Sequence, residues 1–271
     1  MIKQAIIPLA GLGTRLLPLT SVIPKELLPI NGKPNIEHIM EECIEAGIKQ
    51  FIFVISKKKS SIKKYFFNDK FYNSIIKKKK DKRIKKEFKK IKKYKKMIKF
   101  VYQNKPNGTG DAVLKCKKYI KSKYFLMLLP DDLIVKANCS KEMIKLHHLT
   151  KSSVIATKKV DPKTVSRWGI LSLKNKKKTN FKITDVVEKP SKKRAPSNYA
   201  IIGRYILPRS IMKNLKNQKK GQGGEIHITD SIKSLIYKGE KFYGNIFKGK
   251  YLDCGTLEGY INSSLEISKS K

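Results

Sequence analysis

Residues 6–34 read IIPLAGLGTRLLPLTSVIPKELLPINGKP. Residues 5–9 are apolar and long enough for one strand buried on both faces. Ala10, Gly11, Leu12, Gly13, Thr14 and Arg15 follow at once. Two glycines let a backbone come close to a ligand and turn its N–H groups toward an anion. Arg15 adds a permanent cation whose planar fork suits phosphate. Pro24, Lys25 and Glu26 then bring a second cation on a proline-stiffened segment. A strand feeding a glycine loop with two cations predicts a cradle for a triphosphate or pyrophosphate. Gly11-x-Gly13 taken alone is an ordinary strand-to-helix turn. Leu16 stands where a dinucleotide fingerprint carries its third glycine, and the lysine-serine or lysine-threonine ending of a P-loop is missing.

Downstream of this loop the pattern alternates. Ile36, Ile39, Met40, Cys43 and Ile44 recur at helical spacing after Pro34 and before Gly47. Residues 51–55 are β-branched and aromatic, so strand, helix and strand predict a βαβ unit and a parallel sheet. Residues 60–67 start another helix. In the lysine-dense stretch 77–99, Ile84, Phe88, Ile91 and Tyr94 recur at steps of four, three and three. That spacing predicts an amphipathic helix laid on the sheet with its lysines outward. Further strands are expected at residues 98–102, 124–129, 153–157, 181–187 and 242–247, and helices at 142–149 and 257–268, with another opened by residues 223–230 and running to 237. Gly11, Gln103, Asp131 and Lys189 each follow an apolar strand. The carboxyl ends of parallel strands share one edge, so these residues are expected to converge in a crevice there.

Composition sets bounds. A chain of 271 residues with 40% hydrophobic content suits one large α/β domain, here expected to span 1–271 with a lysine-rich helical insertion at about 60–99. No apolar run reaches about 18 residues, so no membrane association is expected. The first residues lead straight into a strand without the pattern of a signal peptide, which makes cytoplasmic residence the expectation. Cys43, Cys116, Cys139 and Cys254 show no paired spacing and read as reduced thiols. Lys and Arg number 62 against 21 Asp and Glu, a formal charge of +41. Such a balance raises a basic nucleic-acid-binding protein as the alternative class. The excess is almost all lysine and is dispersed, the pattern expected of biased codon usage, so a solvated surface without specific nucleic-acid binding is the favoured reading.

The string G-L-G-T-R-x-x-P-x-T with P-K-E-x-x-P behind it resembles the signature of the sugar-nucleotide pyrophosphorylases, nucleotidyltransferases that join an NTP to a sugar 1-phosphate. Six segments between residues 6 and 260 match in order. The resemblance implies a Rossmann-like three-layer α/β sandwich with a mostly parallel central sheet. It implies that Ala10, Gly11, Gly13 and Thr14 hold the NTP, with Arg15 on the leaving pyrophosphate and Lys25 among the reacting phosphates. Gln103 offers an amide donor and acceptor to a uracil or thymine edge, and Q-N-K-P-N-G-T-G-D-A is similar to the family's base-reading stretch through Gln103 and Gly108. Asp111 stands where uridylyl members usually carry histidine. Gly169, after Trp168, and Glu188, in V-E-K-P, fall at positions implied to meet the sugar, with Lys189 on its phosphate. Asp131 in L-P-D-D and Asp253 in L-D-C-G are implied ligands of Mg²⁺, a hard cation that carboxylates suit.

The match is nearest the uridylyltransferase branch. It implies UTP and glucose 1-phosphate as substrates, UDP-glucose and pyrophosphate as products, and a homo-oligomer, dimer or tetramer. A thymidylyltransferase or another nucleotidyltransferase is the near alternative.

Overall fold

The computed structural model describes residues 1–67 and 70–269. The chain begins with strand β1 (Gln4–Pro8), then the glycine loop with three short 3-10 turns, and the small hairpin β2 (Pro29–Ile30) and β3 (Lys33–Pro34). Helix α1 (Asn35–Glu45), strand β4 (Gln50–Ile55), helices α2 (Ser60–Phe67), α3 (Lys70–Lys78) and α4 (Lys82–Lys95), and strand β5 (Ile98–Tyr102) follow. Helix α5 (Thr109–Lys115), strands β6 (Tyr124–Leu128) and β7 (Asp132–Val135), helix α6 (Cys139–Thr150) and strand β8 (Ser153–Lys159) come next. The last part holds β9 (Gly169–Lys174), β10 (Asn180–Glu188), β11 (Tyr199–Pro208), α7 (Ile211–Asn217), α8 (Ile228–Tyr237), β12 (Phe242–Ile246), β13 (Lys250–Asp253) and α9 (Leu257–Ser268).

Nine strands form one sheet in the order β5-β4-β1-β6-β11-β8-β12-β10-β9, and β11 also touches β9. β5, β4, β1 and β6 are parallel, as the strand, helix and strand order at the start of the chain predicts. β11 enters antiparallel between β6 and β8, β12 is parallel to β8, and β10 is antiparallel to both β12 and β9. The sheet is therefore parallel over its first half and mixed over its second. Two cores flank it. Ile7, Ile39, Met40, Phe53 and Met143 pack on the face of α1, α2 and α6. Ile6, Val113, Met127, Leu215 and Ile232 pack on the face of α5, α7 and α8. Adjacent β1 residues feed opposite cores, which is why this strand reads as a continuous apolar run instead of an alternating one.

The lysine-dense stretch differs from the expected single helix on the sheet. Lys77 and Lys78 close α3, and α4 begins at Lys82. Asp81 caps it, accepting from Arg83 N at 2.7 Å, so the break falls where a capping carboxylate competes with helix continuation. Helix α4 leans on α2 and α3. Of its apolar stripe only Tyr94 is buried in the core, and Ile84 is exposed. Lys90 ties the helix to α1 through Glu37 at 2.7 Å. Within the insertion expected at 60–99, positions 68 and 69 lie outside the described residues. Among the described residues, no helix is long and apolar enough to cross a membrane.

Candidate active site

A cleft of about 780 Å³ opens beyond the carboxyl ends of β1, β5 and β6. Ala10, Gly11, Thr14, Arg15, Lys25, Gln103, Gly108, Asp131, Gly169, Glu188, Lys189 and Asp253 all line it. Gly13 does not. It sits behind the loop at φ 73°, where a side chain would press Thr20 Cγ2 at 3.2 Å. Thr20 Oγ1 donates to Gly13 O at 2.8 Å and closes the turn. The glycine therefore shapes the loop that presents its neighbours.

Lys189 reaches the cleft by another route than the one expected. β10 runs against its sheet neighbours, so its end is not part of the parallel edge. Glu188 instead pairs with Gly169 at the start of β9, and Ile170 pairs with Ala200 of β11. The open end of this β9–β10 ribbon delivers Gly169, Glu188 and Lys189 together.

At the end of the cleft formed by the glycine loop, Asp131 is gripped by Lys25 Nζ at 2.5 Å and by Arg15 Nη2 at 3.4 Å. Its other oxygen, Oδ1, is buried with no hydrogen-bond partner among the described residues. Asp253 comes alongside because β13 pairs with β7, and Cys254 N donates to Asp131 O at 2.7 Å. Asp253 Oδ1 accepts from Gly255 N at 2.8 Å, and Oδ2 lies 3.3 Å from Arg167 Nη2. Asp132 also borders the cleft but is turned to Tyr251, whose hydroxyl donates to it at 2.8 Å. Burial pushes its carboxyl up to about 6, against the pull of the Tyr251 bond and Arg204.

Two buried ion pairs hold this side from behind. Lys59 Nζ sits 2.7 Å from Glu26, fixing the P-K-E segment. Burial pushes Glu26 up and Lys59 down from their ordinary values, and their mutual attraction opposes both shifts. Arg204 binds Glu42 of α1 at 2.9 Å and donates to Leu129 O at 3.1 Å, while Asn35 Nδ2 donates to Pro130 O at 2.8 Å. The residues leading into Asp131 are thus held by backbone carbonyls.

On the other side, Gln103 is buried at the end of β5. Its Nε2 donates to Gly108 O at 3.0 Å and to Asp111 Oδ2 at 2.7 Å. Gly108 takes φ 94°, and a Cβ there would lie 2.6 Å from Ile226 O, so only glycine fits this turn. Gly110 faces Ile226 and Leu215 instead of the cleft. Arg167, Thr229, Tyr205 and Tyr251 line the cleft as well, and sequence reasoning assigned none of Arg167, Tyr205 or Tyr251 to it. Arg167 was legible only as the neighbour of Trp168. Its partner Asp253 is 86 residues away.

A glycine turn, the cations Arg15, Lys25, Arg167 and Lys189, and the neighbouring carboxylates of Asp131 and Asp253, all on one cleft of a three-layer α/β fold, belong to the class of enzymes that handle nucleotide phosphates. A family described as nucleotidyl transferase matches residues 4–270, and the chain belongs to that family. The UTP–glucose-1-phosphate uridylyltransferase of Mycoplasma genitalium is 37% identical over 267 residues, covering 97% of this chain and 91% of that protein. A UDP-glucose pyrophosphorylase solved in complex with UDP-glucose superposes with TM-score 0.88 at 34% identity, over 100% of both chains. A UTP-bound relative from Acinetobacter baumannii gives TM-score 0.89 at 32% identity, over 100% of this chain and 95% of that one.

Proposed function

We propose that this chain transfers the uridylyl group of UTP to α-D-glucose 1-phosphate. A phosphate oxygen of the sugar phosphate attacks the α-phosphorus of UTP in line. The bond from that phosphorus to the bridging oxygen breaks, and pyrophosphate leaves with the electron pair. UDP-glucose keeps the new phosphoanhydride bond. The observation that carries this reading is the convergence of Arg15, Lys25 and Lys189 with Asp131 and Asp253 in one cleft, in a chain with full-length relatives of that name.

No side chain need become covalently attached. Two anionic reactants must be brought together, and the work is positioning and charge neutralisation. Arg15 holds the departing pyrophosphate. Lys25 stands among the phosphates, and Lys189 holds the sugar phosphate, with Glu188 and Gly169 at the sugar. Asp131 Oδ1, buried and without a hydrogen-bond partner among the described residues, suits a hard cation. Asp131 and Asp253 are the residues we assign to hold Mg²⁺, which uses one or two protein carboxylates and supplies charge neutralisation on phosphate oxygens when bound. Asp131→Asn and Asp253→Asn are each expected to weaken Mg²⁺ binding, read by titration calorimetry with UTP present, and to lower turnover by orders of magnitude. Asp132→Asn, with its side chain on Tyr251, is expected to be milder. Normal Mg²⁺ affinity in Asp253→Asn would move the second ligand elsewhere.

The reading extends to a cytoplasmic homo-oligomer, dimer or tetramer. It is supported by four free buried cysteines, which suit a reducing compartment, and by Leu257, Ile261 and Leu265, a half-exposed stripe on α9. Sedimentation velocity tests the assembly. The reaction is tested by one pyrophosphate-release panel crossing five NTPs with glucose, galactose and N-acetylglucosamine 1-phosphates. The expected winner is UTP with glucose 1-phosphate. A clear preference for dTTP, or no release at all, would overturn the reading.

A further inference from the structure

We propose that Asp111 is a positioning residue that locks the amide of Gln103, so that the cleft offers the nucleotide base an acceptor and not a donor. This rests on the proposed use of UTP. Gln103 Nε2 lies 2.7 Å from Asp111 Oδ2 and 3.0 Å from Gly108 O. A carboxylate and a backbone carbonyl can only accept. Flipping the amide would set its oxygen against both, so one orientation alone satisfies this corner. Both partners are firmly placed. Asp111 is 8% exposed on the first turn of α5, with Lys115 Nζ 3.7 Å from its other oxygen. Gly108 is fixed by its positive φ and by the Ile226 carbonyl behind it.

Both amide hydrogens are therefore committed to the protein. What Gln103 leaves for a ligand is Oε1, an acceptor. Uracil carries a hydrogen on N3, flanked by two carbonyls, and can donate it to that oxygen. Cytosine carries a bare N3, itself an acceptor, at the same place. Two acceptors facing each other leave a buried group unpaired, which is costly. Asp111 thus acts through Gln103, setting which pyrimidine is accepted without touching the base.

The test compares kcat/KM for UTP and CTP in pyrophosphate release, at fixed glucose 1-phosphate. Asp111→Ala removes the charged one of the two acceptors that hold the amide and leaves only Gly108 O against the flip, so the UTP-over-CTP ratio is expected to fall at least about tenfold. Asp111→Asn keeps an acceptor in place and should hold the ratio within about threefold of wild type. A purely structural role would slow both nucleotides together, and an unchanged ratio in Asp111→Ala would overturn the proposal. Should Asp111→Ala fail to fold, a second pair of variants decides. Gln103→Glu sets two carboxylates against each other and should lose UTP activity. Adding Asp111→Asn restores a donor between them and should recover at least about tenfold. A double variant no better than Gln103→Glu would also overturn it. A wild-type chain that turns over neither nucleotide would sink the proposed reaction, and this inference with it.

Discussion

Lys189 shows how a single residue is presented to the cleft. It lies just past β10 with φ at 43°, and its N–H donates to Trp168 O at 2.9 Å. The backbone is held while the side chain stays exposed along the cleft wall. Replacement by alanine keeps the same backbone demand and removes no buried surface, so the melting temperature should move by about a degree or less. Removing one charge-assisted hydrogen bond to a dianionic phosphate should cost about 2–4 kcal/mol of transition-state binding. Steady-state kinetics should therefore show kcat/KM for glucose 1-phosphate down by roughly 30- to 1000-fold. Near-normal turnover at both limiting and saturating sugar phosphate would remove Lys189 from the site. Its motif made this residue legible in the sequence, as it did Arg15 and Lys25. Arg167 and Tyr251 were not legible, because each acquires its meaning from a tertiary partner, Asp253 and Asp132 respectively.

At the level of elements, the strand ends were readable and their directions only in part. Apolar runs predicted β1, β4 and β6 as strands, and the strand, helix and strand order over residues 5–55 predicted parallel pairing. Nothing local marked β10 as antiparallel, because an apolar run does not record its neighbour's direction. The strut behind Asp131 was equally hidden. Arg204 on β11 and Glu42 on α1 are separated by 162 residues. Both are buried, and Ser140 Oγ donates to Glu42 Oε1 at 2.6 Å. Removing one member strands the other charge in the core. Arg204→Met should therefore destabilise the fold by about 3–5 kcal/mol, read as a lower urea midpoint. Glu42→Gln added to it should recover part of that loss, since no lone charge is then buried. Because Arg204 also holds the Leu129 carbonyl, Arg204→Met should lower activity beyond its loss of folded protein. If the single variant unfolds at the wild-type midpoint, the pair does not brace the site.

For the molecule as a whole, the question is what a charge of +41 does. Surface lysines cost little, because the ammonium stays hydrated while its stem lies on the protein. The cleft draws on few of the cations, while Lys82, Lys85, Lys86, Lys89 and Lys93 are exposed on α4, a helix that takes no part in the cleft. A basic face of this kind attracts any polyanion through counterion release, without reading sequence. RNA should bind weakly at low salt, with no preference among sequences, and its affinity should fall steeply as salt rises. Changing those five lysines to glutamine should remove a large share of that binding and flatten its salt dependence, by about one unit of log–log slope for each phosphate no longer neutralised. Pyrophosphate release should stay within about twofold of wild type, because the excess field speeds encounter with anionic substrates only modestly at physiological ionic strength. Lys90 must be left in place, since its bond to Glu37 ties α4 to α1. Two filter-binding series at increasing salt, set beside one activity assay, separate the possibilities. Tight, sequence-selective RNA binding that survives physiological salt and is abolished with the five lysines would make α4 a nucleic-acid element and promote the alternative class.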